Sequence, residues 1–203
     1  MYKEAQLFVD EINARNDIDF VILNGDISDF GQLLEFEGIY SIYSKLRVPF
    51  ISIIGNHDLV ANGPFIYQRM FGDLNFTFNY GNVKFVCFDS NSREYNFNGA
   101  VPNIPWLKAN FTLESGLSYI LAFSHVPPND ADFDPELRPL YEELANHTPG
   151  FLGSVHAHQH KPDKIYKPYE GSVPFVITNA IVNRAYTLLD ISNGQIETQP
   201  VHF

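Results

Sequence analysis

Two apolar runs that each stop at a glycine set the strongest limit on the fold. Asp19-Phe20-Val21-Ile22-Leu23-Asn24 ends at Gly25-Asp26, and Phe50-Ile51-Ser52-Ile53-Ile54 ends at Gly55. Unbroken β-branched and aromatic runs of this kind suit strands buried on both faces, as in a parallel sheet. Between them, Leu33, Leu34, Phe36, Ile39, Tyr40, Tyr43 and Leu46 recur near helical spacing over residues 32–46, and Pro49 ends the segment. A strand, a helix and a second strand in this order predict a right-handed crossover unit of an α/β protein. Residues 3–15, with Ala5, Leu7, Phe8 and Ile12 opposite charged residues, predict a further helix in front of it.

From about residue 74 the texture changes. Short strands are expected at 75–80, 83–89 and 118–124, the first two joined through Tyr80-Gly81-Asn82 as a hairpin. Later strands are expected at 150–155, 173–178, 184–190 and 195–201, with Ser192-Asn193-Gly194 turning the last pair. Residues 91–105 read as a loop leading to Trp106-Leu107, and 136–146 as a short helix. With no repeat, low-complexity tract or linker, residues 1–203 read as one domain.

Charge and cysteine usage remove several function classes. Against 24 Asp+Glu the chain carries 13 Lys+Arg, a formal charge of −11. Such a surface repels phosphate backbones and anionic lipids, and no basic patch offsets it, so nonspecific nucleic-acid binding is not expected. The single cysteine, Cys87, sits in the apolar run Val83-Lys84-Phe85-Val86-Cys87-Phe88 and reads as a small buried hydrophobe. Disulfide scaffolds and cysteine-based zinc sites are excluded. No stretch approaches the ~20 apolar residues of a membrane span. The first residues lack a signal-peptide pattern, and three N-x-[ST] sequons, at Asn75, Asn110 and Asn146, are close to chance frequency. Cytoplasmic and exported locations both stay open.

The polar residues with chemical potential recur in one place, just past the end of a buried strand. Asp26 follows the first run, Asn56-His57-Asp58 the second, His125 the segment 119–124, and His156 and His158 the pair Phe151-Leu152. Open α/β sheets gather ligands at the carboxyl ends of their strands, so these groups can converge across ~130 residues of sequence. Asp, Asn and several His together suit Mn²⁺, Fe or Zn²⁺ better than Ca²⁺. Each piece also has an ordinary reading: Asp26 as a turn residue, Asn56-His57-Asp58 as a polar loop, His125 as a loop histidine. Strand alternation would place His156, His158 and His160 on one face, and those three alone could make a mononuclear zinc site in a β-barrel.

Taken in order, Gly25-Asp26, Gly55-Asn56-His57-Asp58, His125-x-Pro127-Pro128 and His156-x-His158 resemble the motifs of the calcineurin-like metallophosphoesterases. Trp106-Leu107 falls where such enzymes often carry a similar pair. The resemblance implies a four-layer α/β/β/α sandwich of two mixed sheets and two divalent metal ions, Mn, Fe or Zn, at the strand ends. It implies that Asp26 bridges the metals, that Asn56, His125 and His156 complete one shell, and that His158 binds the other ion. His57 is expected beside the phosphate as general acid or charge stabiliser, with Asp58 orienting its imidazole. The implied activity is hydrolysis of a phosphate monoester or diester by a metal-bound hydroxide, on a phosphorylated small molecule or nucleotide. The stretch Gly25-Asp26-Ile27-Ser28-Asp29-Phe30-Gly31 is similar to that of cyclic-nucleotide phosphodiesterases in the family, although other members share it.

Two departures qualify the resemblance. The family's first motif, D-x-H at the end of a first strand, has no counterpart before the helix at residue 3, leaving only Asp26 and His158 for one ion. The sequence therefore predicts an N-terminally shortened chain lacking its first strand, with an exposed sheet edge open to self-association. The alternative is a natural single-metal relative acting as a non-catalytic binding module. Val155 stands where a glycine precedes the histidine pair, which brings His158 and His160 into question as the working pair; the order of residue types favours His156 and His158.

Overall fold

The structure is a computed structural model describing residues 2–203. Helix α1 (Tyr2–Ala14) leads to β1 (Val21–Asn24), α2 (Leu33–Tyr43) and β2 (Phe50–Ile53). Strands β1 and β2 pair in parallel, Val21 opposite Phe50 and Asn24 opposite Ile53, as the crossover unit requires. Helix α3 (Gly63–Phe71) follows, then β3 (Phe76–Tyr80), β4 (Val83–Cys87), α4 (Ile104–Asn110) and β5 (Tyr119–Phe123). The chain continues through α5 (Arg138–His147), β6 (Phe151–His156), β7 (Lys164–Tyr166), β8 (Phe175–Ile177), β9 (Ala185–Ser192) and β10 (Gln195–His202).

Strands β3-β4-β5-β6-β8-β7 form a six-stranded mixed sheet whose centre, β4 to β8, is parallel. The β3–β4 hairpin and the β7 edge are antiparallel. Strand alternation divides three apolar clusters between the layers. On one face of the six-stranded sheet, Val86, Phe88, Ile120, Ala122 and Phe151 meet α4 and α5 through Leu107, Tyr141 and Ala145. On the other face, Phe85, Cys87, Leu121, Phe123, Val155 and Val176 pack against Ile22 and Ile53 of the β1–β2 pair and against Leu189, Ile191 and Ile196 of the β9–β10 hairpin. Val21, Leu23 and Ile54 then turn away from that inner core toward α1, α2 and α3, where Phe8, Phe36, Ile39 and Tyr67 are buried. The expected layering of helices, sheet, sheet and helices is what forms. Cys87 is fully buried, and burial pushes its thiol well above the ordinary range, as befits a core residue.

Two helices and one strand are not legible in the sequence. Helices α3 and α4 carry Pro64 and Pro105 within their first turns, where proline initiates rather than breaks. The Asn103 side chain accepts a hydrogen bond from Trp106 N at 3.0 Å and caps α4. Strand β7 is a three-residue edge strand with no apolar alternation. No helix among the described residues is long and apolar enough to cross a membrane.

Candidate metal centre

Strand ends from the β1–β2 pair and from the six-stranded sheet open onto one place. Strand β1 stops at Asn24, and Gly25 turns the chain at φ +92°, a conformation that suits glycine. A side chain there would strike the His125 ring, and one at Gly55 would strike the backbone and carboxylate of Asp26. The two glycines therefore let the loops after β1, β2 and β5 approach to van der Waals distance.

Asp26 lies at the focus, itself at φ +53°. Its Oδ1 accepts the His57 N–H at 3.0 Å, and its Oδ2 stands 3.0 Å from His125 Nε2. Burial pushes the Asp26 carboxyl up, but the charge of His125, its hydrogen bond and the His57 N–H outweigh it and hold the group at about 2. The buried His125 ring donates from Nδ1 to the Asn24 carbonyl at 2.7 Å, which fixes the tautomer and leaves Nε2 toward Asp26. Burial opposes its charged form, yet Asp26 raises its pKa above the usual imidazole value.

His156 ends β6 and is fully buried. Its Nδ1 is 3.0 Å from Ser124 Oγ, and burial, with the nearby His125 charge, lowers its pKa to about 3, so the ring is neutral. His158 Nδ1 lies 3.1 Å from Asn56 Oδ1, and its ring sits edge-on to His125 with centroids 5.2 Å apart. Ligand atoms of Asp26, His125 and His158 all fall within 4.8 Å of one another. Asp130 and Asp132 approach the same histidine, at 3.8 and 3.5 Å from His158 Nε2. Asp26, Asn56, His125 and His158 are thus brought together, with His156 following at the end of β6.

Two sequence expectations are corrected. The three histidines do not share a strand face: β6 ends at His156, and His158 and His160 take left-handed backbone, φ 69° and 50°. His158 is thereby turned inward while His160 is exposed, which removes both the β-barrel zinc reading and His160 as a partner in the cluster. The second correction concerns Asp58, which does not orient His57. Its buried carboxylate accepts Gly55 N at 2.9 Å, Ile27 N at 3.3 Å, Ser28 N at 2.9 Å and Ser28 Oγ at 2.8 Å, stitching the β1 and β2 loops together. Burial pushes its carboxyl up to about 6 against the pull of these donors. The exposed His57 ring instead directs Nδ1 to the Asp29 carbonyl, 3.0 Å away. A carbonyl only accepts, so Nδ1 donates there and Nε2 is the ring nitrogen left outside this contact. Glu35 steadies that carbonyl's loop, its Oε2 accepting Phe30 N and Gln32 N, each at 3.0 Å.

From sequence, Ser124 reads as touching no ligand, whereas its hydroxyl meets His156; the segment after β4, where Asp89, Ser90 and Asn91 are buried beside the site loops, carries no functional expectation from sequence. The signal that finds the others is present there too, since Asp89 follows a buried strand end.

The family model for calcineurin-like phosphoesterases matches residues 2–162. This chain belongs to the calcineurin-like phosphoesterase family. No curated protein matches it. Among solved structures it is similar to a dimetal phosphatase from Danio rerio, at 12% identity and a TM-score of 0.71, over 89% of this chain and 78% of that one. It also resembles a protein of Thermus thermophilus, at 14% identity and a TM-score of 0.58, over 97% and 92%. The calcineurin-like phosphoesterase YfkN from Bacillus subtilis matches at 15% identity and a TM-score of 0.50, over 99% and 81%. At such identities the likeness speaks for the fold.

Proposed function

We propose that this protein is a metal-dependent phosphoesterase, hydrolysing a phosphate monoester or diester, with divalent cations held by Asp26, Asn56, His125, His156 and His158. One observation carries the reading. The Nε2 atom of the buried, neutral His156 ring has no hydrogen-bond partner among the described residues, and the buried His125 Nε2 faces the Asp26 carboxylate, 3.0 Å away. Buried nitrogens left without a proton partner are costly unless something binds their lone pairs. Neutral imidazoles, a carboxylate and an amide oxygen are a donor set for Mn²⁺, Fe or Zn²⁺.

Bound divalent cations supply charge neutralisation at phosphorus and acidification of water. The chain's own part is to hold and orient. The Asn24 carbonyl and Ser124 hydroxyl fix the two buried rings, as outer partners of metal-binding histidines do. Asp58 locks the β1 and β2 loops to each other, which sets Asp26 against Asn56. His57 is exposed, with its backbone on Asp26 and its Nδ1 on Asp29, so its Nε2 is available to meet the phosphoryl group or pass a proton to the leaving oxygen.

Assays of p-nitrophenyl phosphate and bis(p-nitrophenyl) phosphate with added Mn²⁺ test this. Turnover of at least one, lost with EDTA and in Asp26→Asn, is expected. Protein with bound Mn²⁺ that turns over neither would contradict the catalytic reading and leave a binding module.

A further inference from the structure

The segment after β4 contains four consecutive polar residues that are almost wholly buried: Asp89 at 3% exposure, Ser90 at 0%, Asn91 at 1% and Ser92 at 0%. Burying a run of this kind is costly unless its polar groups find partners, and where the partners lie shows what the segment does. Those of Asn91 and Ser90 lie on the backbones of the loops that carry the site, while Ser92 Oγ donates to the Val101 carbonyl at 2.7 Å and Asn91 Oδ1 has no partner among the described residues. Asn91 Nδ2 donates to the Ile54 carbonyl at 3.1 Å, two residues before Asn56, and to Asp89 Oδ1 at 2.7 Å. Two acceptors on that side fix which end of the amide is the NH₂ group. Asp89 also accepts Asn91 N at 2.9 Å, and its other oxygen accepts the Tyr95 hydroxyl at 2.8 Å.

Ser90 does the same for the next loop. Its hydroxyl accepts Val126 N at 2.9 Å and donates to the Val126 carbonyl at 3.0 Å, gripping both ends of the residue after His125. Arg93 reaches further along the same β5–α5 loop: its backbone N–H donates to the Asp132 carbonyl at 3.1 Å, and its guanidinium meets both carboxylate oxygens of Asp132 at 3.0 and 3.1 Å. Asp132 is a carboxylate that faces His158.

Resting on the metal-dependent reading above, we infer that residues 89–93 form a positioning element that holds the Asn56 and His125 loops in register for a cation and sets the Asp132 carboxylate facing His158, with Asn91 as the positioning residue for Asn56. None of these five side chains is placed as a ligand. Asn91 and Ser90 act through the backbone groups beside Asn56 and His125, Arg93 through the carboxylate that faces His158, and Asp89 holds Asn91 and is braced by Tyr95 from outside. Ligand geometry held this way is lost when the brace is removed, even where the fold survives.

Mn²⁺ titration of the purified protein, followed by the electron paramagnetic resonance of free Mn²⁺ alongside thermal melts, tests this. Asn91→Ala is expected to weaken Mn²⁺ binding by about 10- to 100-fold. Leu107→Ala, in the α4 core far in sequence from every ligand, is expected to lower Tm while leaving Mn²⁺ affinity unchanged. Should Asn91→Ala fail to fold, Tyr95→Phe removes only the outer brace and is expected to weaken binding by about 3-fold or more. Unchanged affinity in the folded Asn91 variant, or in the Tyr95 variant where Asn91→Ala does not fold, overturns the inference, as does an equal loss in Leu107→Ala, which would mark the effect as general destabilisation. A wild-type protein that binds no Mn²⁺ overturns the metal-dependent reading itself.

Discussion

Replacing Asp58 with alanine separates a structural carboxylate from a catalytic one. Three backbone N–H groups, of Gly55, Ile27 and Ser28, together with the Ser28 hydroxyl, converge on this one buried side chain. Alanine leaves all three N–H groups without an acceptor, at about 1–3 kcal/mol each. Part of that loss is offset, because the ionised carboxylate is itself strained by burial. Its pKa rises from 3.8 to about 6, worth about 3 kcal/mol at neutral pH. The net cost is therefore about 3 kcal/mol, or a Tm lower by about 6–12 °C for a chain of this size. The pH dependence follows from the same shift. Between 3.8 and about 6 the folded protein holds a proton that the unfolded chain has released, so this group adds stability as pH falls through that window. The Asp58→Ala penalty should thus be larger at pH 5 than at pH 7, by about 1 kcal/mol. Urea unfolding of both proteins in EDTA at the two pH values measures it. A penalty below about 1 kcal/mol, or one that shrinks at pH 5, would refute the reasoning.

Other substitutions probe the remaining contacts. Ser124→Ala frees the Nδ1 of His156 and should weaken Mn²⁺ binding about 10-fold while costing about 1 kcal/mol of stability, read by titration and by melts. His57→Ala should leave stability within about 0.5 kcal/mol, because the ring is exposed, and lower kcat on an aryl phosphate by about 10²- to 10⁴-fold. Asp26 raises the pKa of His125, and a cation must displace that proton. Mn²⁺ affinity should therefore climb with pH through and above the ordinary imidazole range, and calorimetry in buffers of different ionisation enthalpy should show proton release.

What the sequence makes legible is set by apolar burial. The unbroken runs before Gly25 and Gly55 locate β1 and β2, and the rule that chemistry follows a buried strand end locates Asp26, Asn56, His125 and His156. His158 is found by motif, but the way it enters the site is not. Alternation predicts a shared strand face, whereas β6 stops at His156 and a left-handed turn at His158 swings the ring inward. Asp58 misleads because a carboxylate beside a histidine looks like its partner, and only the folded structure shows that three N–H groups reach it first. Asp89 and Asn91 carry the same strand-end signal as the other site residues. Their partners are the Tyr95 hydroxyl and the backbone carbonyl of Ile54, and no pattern of residue types announces a backbone acceptor.

The central claim is that a divalent cation is bound by Asp26, His125 and His156. Crystals soaked in Mn²⁺ and measured for anomalous scattering test it directly. A peak within coordination distance of the Asp26 carboxylate and the Nε2 atoms of His125 and His156 is the predicted result. Anomalous density elsewhere with none at that position, under soaking conditions that saturate the protein, would contradict it.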